Sequence, residues 1–153
     1  MRHIIGFGNE LHGDDGFGPE VCRQLTALTH EHNVRVFDAS TRGLDALTLF
    51  AGCEEAFLID AAAPGSAPGN IREWSPFALL NEAGEDGLHG GGLHYLLRAL
   101  HSQTHTLPKI SIVTAEAQSM AQFQPGLSLP MQHAVKETVR RLCLRLNLGA
   151  IQA

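Results

Sequence analysis

The sequence contains no apolar run approaching the ~20 residues of a membrane-spanning helix. It has no basic segment leading into an apolar one near its start, so no secretory signal is expected. Cysteine is scarce: Cys22, Cys53 and Cys143 are odd in number, far apart and without CxxC spacing. Such cysteines read as reduced packing residues, which places the protein in the cytoplasm. Basic charge is also in short supply, with 11 Lys and Arg against 16 Asp and Glu and a net charge of -5. Nucleic acid and anionic membranes are therefore poor partners for this chain. Several enzyme signatures are missing as well. GFGNEL lacks the third glycine of GxGxxG, and there is no GxxxxGK[ST] phosphate loop, no GxSxG nucleophile elbow and no HExxH zinc helix.

What remains is an ordinary globular balance, 44% hydrophobic and 18% charged over 153 residues, with no internal repeat or linker. That length suits one domain spanning 1–153. Residues 3–7 (HIIGF) form an apolar run stopped by Gly8 and Asn9, as for a strand entering a tight turn. Over 17–30 the period changes to helical, with Val21, Leu25 and Leu28 on one face and Pro19 in the first turn. VRVFDA (34–39) reads as a second strand and LDALTLFAG (44–52) as a short helix closed by Gly52. AFLIDAA (56–62) is continuously apolar, as for a strand buried on both faces, and NIREW (70–74) alternates as an edge strand beside Pro68 and Pro76. From residue 91 helical spacing returns in Leu93, Leu96, Leu97 and Leu100, followed by a strand at KISIVTA (109–115). A last helix carries Met131, Val135, Val139, Leu142 and Leu146, with its basic residues mostly off that stripe. This order predicts an α/β three-layer sandwich, a mostly parallel twisted sheet of about five strands with helices on both faces.

In such sheets chemistry gathers at the carboxyl ends of the strands. Four strand exits here deliver a carboxylate to that edge: Asp14 and Asp15 after the first, Asp38 after the second, Asp60 after the third and Glu116 after the last. GLHGGGLH (87–94) brings His89 to the start of the third helix. Carboxylates in company repel unless a proton, a cation or a basic group lies among them. Asp15, Asp60 and His89 would form a two-oxygen, one-nitrogen set with open positions, suited to a divalent metal that also binds substrate or water. Each residue alone has a plainer reading: Asp14 or Asp15 as a helix cap, Asp60 as a loop cap, His89 as a surface residue. Of the nine histidines, His12, His30, His32, His101, His105 and His133 show no such convergence and default to surface or helix-face positions.

The segment Ile5-Gly6-Phe7-Gly8-Asn9-Glu10-Leu11-His12-Gly13-Asp14-Asp15-Gly16-Phe17-Gly18 resembles the opening motif of the hydrogenase maturation endopeptidases. The likeness continues in order through Asp38-Ala39-Ser40-Thr41-Arg42-Gly43, Ile59-Asp60-Ala61 with Pro64-Gly65, Leu88-His89-Gly90-Gly91-Gly92, and Gly126-Leu127-Ser128. Two departures stand out. Position 15 is Asp where some members carry Glu, and Asp38-Ala39-Ser40-Thr41 replaces both glycines of a D-G-G-T segment. The resemblance implies a peptidase that trims the C-terminal extension from a nickel–iron hydrogenase large-subunit precursor. It implies Asp15, Asp60 and His89 as catalytic, metal-contacting residues and Asp38 in a supporting role that orients water. The metal would be nickel already inserted in the precursor, for which another divalent ion could substitute. The precursor is then the protein partner, and a monomer is the expected working form. The rival readings are a nickel-binding maturation chaperone without a cut, a nucleotide-binding domain and an interaction module.

Overall fold

The computed structural model describes residues 1–29, 33–83, 92–103 and 106–148. The first strand, β1 (Arg2–Phe7), buries Ile4 and Ile5 completely and runs into a 3-10 turn, Gly13–Gly16. Helix α1 (Phe17–Thr26) follows, then β2 (Val34–Ser40), a 3-10 stretch over Gly43–Phe50, β3 (Glu55–Ala62) and β4 (Ile71–Trp74). A single helical turn, α2 (Pro76–Ala78), leads into a π turn over Leu79–Ala83. The described chain ends with α3 (Gly92–Gln103), β5 (Lys109–Glu116) and α4 (Leu129–Leu146).

The strands form one sheet in the order β2-β1-β3-β5-β4, parallel except for β4, which pairs antiparallel to β5 at the edge. The expected mostly parallel five-strand sheet is thus what forms. On one face Ile4, Phe57, Ile59 and Val113 pack against α1 and α4 through Phe17, Val21, Leu25, Met131, Val135 and Leu142. On the other, Ile5, Leu58 and Ile112 meet Phe50, Leu79 and the Leu93, Leu96, Leu97 and Leu100 stripe of α3. β3 feeds both cores from alternate residues, which is why its sequence is apolar without a break. Among the described residues no helix is long and apolar enough to cross a membrane.

Two helical expectations are adjusted by hydroxyl groups. α1 stops at Thr26, short of residue 30, where Thr26 Oγ1 donates to the Cys22 carbonyl at 2.8 Å. The stretch expected as a helix over 44–52 winds as a 3-10 helix, with Thr48 Oγ1 donating to the Asp45 carbonyl at 3.0 Å. In both places a side chain competes for a carbonyl of the preceding turn. The turn formed by Ser75, whose Oγ accepts from Ala78 N at 3.1 Å, and Pro76 had no counterpart in the periodicity.

Because β2 and β3 flank β1 on opposite sides, the chain reverses its winding between β1 and β3, and a crevice opens at their carboxyl ends. The helix seated beside that crevice comes unusually close to the sheet. A Cβ at Gly18 of α1 would lie 2.2 Å from the Phe7 carbonyl oxygen and 2.7 Å from that of Ile59. Gly6 opposes it, with its own Cβ position 2.6 Å from the Gly18 carbonyl oxygen. Both clashes are with backbone, so relief requires moving the helix. Gly18→Ala is expected to cost about 2 kcal/mol or more, read as a lower urea midpoint at unchanged slope.

Candidate active site

The loop leaving β1 is folded back on itself by its own backbone. At Gly8, with φ +127°, an added Cβ would strike the Asp15 carbonyl oxygen, so only glycine permits this approach. Gly8 N donates to Ser40 O at 2.9 Å, tying the exit of β1 to that of β2. Asn9 Oδ1 accepts from Leu11 N, and Asn9 N donates to Asp15 Oδ2 at 3.0 Å. Asp15 is buried at the end of β1 by this arrangement, and its own N–H donates to His12 O.

Asp60, near the carboxyl end of β3, is also buried, with Oδ1 accepting from Ala61 N at 2.9 Å. Asp15 and Asp60 line one cavity of about 290 Å³, together with His12, Ser40, Thr41 and Leu93. Burial first, and then the negative charge of Asp15, push the Asp60 carboxyl well above the usual carboxylate range, while the Ala61 N–H acts in the opposite direction. The Asp60 side of the cavity therefore favours a proton or an incoming cation.

The other strand-end carboxylates are otherwise engaged. Asp14 is no helix cap. Its Oδ2 accepts from Gln118 N, Ser119 N and Ser128 Oγ, and its Oδ1 from Ser128 N at 2.7 Å. Glu116 accepts from Ala67 N and so holds the loop after β3. Asp38 lies on the α1 side of the sheet, exposed, with Oδ1 accepting from Ser40 N at 2.9 Å and Ser40 Oγ at 2.7 Å. It lines a separate groove with Pro19 and Arg23 and does not meet Asp15 and Asp60. The reason is strand alternation together with a bulge. β2 pairs Gly6 with Asp38 but Phe7 with Ser40, so the extra residue turns Ser40 and Thr41 toward the acid cavity and leaves Asp38 behind.

His89 lies outside the described residues. Among the described residues no three His, Cys, Asp or Glu side chains gather as a metal-holding group. His12, expected at the surface, instead forms part of the cavity wall and meets the Phe123 ring edge-on at 5.4 Å between centroids. Its place in the same loop as Asp14 and Asp15 was the signal available in the sequence. No thiolate serves this edge: Cys22, packed under β2, is pushed up to about 12 by burial and by Asp38.

A family model described as hydrogenase maturation protease matches residues 19–144. MJ0253 of Methanocaldococcus jannaschii, a protein named as a hydrogenase maturation protease, is 30% identical over 139 residues, covering 89% of this chain and 90% of its own. The hydrogenase maturating endopeptidase HybD from E. coli superposes with a TM-score of 0.77 at 20% identity, covering 95% of this chain and 91% of that one. The [NiFe] hydrogenase maturation protease HybD from Thermococcus kodakarensis gives 0.77 at 21%, covering 95% and 98%. At those identities the two structures speak for the fold.

The acid pair has a consequence for stability. Asp60 releases its proton at higher pH in the folded chain than in the unfolded one. Stability therefore falls as pH rises from the unfolded carboxylate range toward the folded value, and stays lower above it. Asp60→Asn is expected to melt a few degrees above the parent protein at pH 7, about 4 °C for each ~1 kcal/mol relieved. The gain should vanish near pH 3 in a calorimetric pH series; an equal gain at both pH values contradicts the coupling.

Proposed function

The chain belongs to the hydrogenase maturation protease family, and from that premise we propose that it hydrolyses one peptide bond to release the C-terminal extension of a nickel–iron hydrogenase large-subunit precursor. The observation that carries the reading is the buried Asp60 carboxyl beside Asp15 in an open cavity at the sheet's switch point. Burial and the negative charge of Asp15 favour a positive charge beside Asp60, and in this reading it arrives as a cation with the substrate. Asp15 and Asp60 contribute oxygens and His89 a nitrogen to nickel carried by the precursor. Asp60 would release its proton to solvent as that contact formed, because the metal would supply the positive charge in its place.

Nickel so placed supplies Lewis-acid polarisation of the scissile carbonyl. The remaining work is moving protons. Water gives one proton to the Asp60 carboxylate oxygen that does not hold the metal as its own oxygen adds to the carbonyl carbon, and that proton passes to the leaving nitrogen as the C–N bond breaks. Asp38 takes no part in this step; it holds Ser40, and with it the cavity wall, through two hydrogen bonds. Dependence on a substrate-borne metal also makes the enzyme a checkpoint, since an unloaded precursor offers no ligand bridge.

Intact-mass analysis of the precursor, incubated with and without inserted nickel, tests the reading. Loss of a discrete C-terminal peptide from the nickel-loaded form alone is expected. His89→Ala and Asp15→Asn are expected to lower the rate by about 100-fold or more, the scale of a lost catalytic group, with circular dichroism unchanged. Cleavage of both forms at equal rates contradicts the nickel checkpoint, and full activity in His89→Ala removes that residue from the site.

A further inference from the structure

The segment between β5 and α4, residues 117–128, crosses the carboxyl edge beside the loop that carries Asp15. It is fastened there by the bonds to Asp14 and by Gly13 N donating to Gln124 O at 2.9 Å, with His12 paired to Gln124 in a short parallel bridge. Within this tethered segment Phe123 has φ +58° and is 76% exposed. A bulky residue in the left-handed region carries a backbone cost. Here that cost is met without burying the ring, which rests only edge-on against His12. Leu11, the neighbour of His12, is likewise half exposed.

Leu11 and His12 form a wall shared by two cavities. His12 faces the Asp15–Asp60 cavity. Leu11 and Gly13 face a groove of about 730 Å³ between α1 and α4, lined further by Gln24, Gln132 and Lys136, with Glu10, Glu20, Arg23 and Asp38 as its other charged residues. Leu11 and Phe123 thus crown a ridge between the acid pair and a groove with the dimensions of a ligand site. Gln24 Nε2 donates to Glu20 Oε1 and Gln132 Nε2 to the Leu127 carbonyl, so their amide oxygens are turned to accept from a peptide main chain, and Lys136, for which no ion pair is found among the described residues, suits a carboxylate.

We propose that this ridge and groove form the docking track for the extended C-terminal tail of the protein substrate, an apolar side chain of the tail packing on Phe123 and Leu11 and the following residues lying in the groove toward Lys136. The inference rests on the processing reading above and extends it to residues away from the acids. The occupant follows from continuity: a chain whose bond lies over Asp15 and Asp60 must leave the cavity, and beyond its His12 wall lies the groove. Apolar anchors at the centre of a contact carry most of its energy.

The test is steady-state cleavage of the precursor by the full chain and by Phe123→Gly, Leu11→Ala and the double variant. KM is expected to rise about 10-fold in the double variant, one apolar contact being worth about that factor, with kcat within about twofold. Phe123→Gly separates docking from folding, because glycine relieves the backbone cost. Its melting temperature is expected to stay within about 2 °C of the parent or rise, while KM still increases. Phe77→Ala, an equally exposed aromatic on α2, serves as the control and is expected to leave KM unchanged. An unchanged KM in the double variant of an enzyme that cuts overturns the track alone, as does a loss confined to kcat. A parent protein that cuts no precursor overturns the processing reading and the track with it.

Discussion

The carboxylate of Asp14 is the constraint on which the site depends. One buried side chain accepts from Gln118 N, Ser119 N, Ser128 N and Ser128 Oγ, joining the first loop of the chain to a segment more than a hundred residues away. Hydrogen bonds that gather on a single acidic group are stronger and more directional than neutral ones. Here they determine three positions at once: the turn that presents Asp15, the segment that carries Phe123, and the start of α4, whose N-terminal flank is Ser128. Asp14 and Asp15 are adjacent and chemically alike, yet one holds the architecture and the other faces the cavity.

The cavity illustrates how a sheet concentrates charge that isolated loops would disperse. β1 and β3 are neighbours, so the loop after one and the last turn of the other meet at the switch point. In an aqueous loop two carboxylates would stay apart and ionised. In the cavity they share with Leu93, burial and the neighbouring Asp15 charge push the Asp60 carboxyl well above the usual carboxylate range. The same acids repel phosphate at the point where dinucleotides sit in related architectures, which sets this crevice apart from a nucleotide site.

The missing third glycine of the dinucleotide fingerprint has a structural counterpart further along. Close approach of helix to strand is still required, but it is met by Gly18 against Gly6 after an intervening loop and 3-10 turn. The inserted residues are those that supply Asn9, His12, Asp14 and Asp15. A loop that would otherwise bind an anion through its backbone is thereby given over to acids.

Much of this was legible from residue pattern. The unbroken apolar run over 56–62 implied a buried strand, the apolar stripes of α3 and α4 implied helices, the alternation of elements implied helices on both faces, and Gly8, Asp15 and Asp60 stood at the strand exits where parallel sheets gather chemistry. Those features are local or periodic, and burial of one face per period suffices to specify them. The helix ends at Thr26 and across Gly43–Phe50 depended instead on hydroxyls bonding backward, which periodicity does not encode. Partnership was beyond the sequence altogether. Which of Asp14 and Asp15 would be tied down, that a bulge after Asp38 would bring Ser40 in and leave Asp38 on the α1 side, and that His12 would meet Phe123 all depend on contacts between distant segments. A side chain's type sets what it can bond to, but only the packed sheet decides what stands within reach.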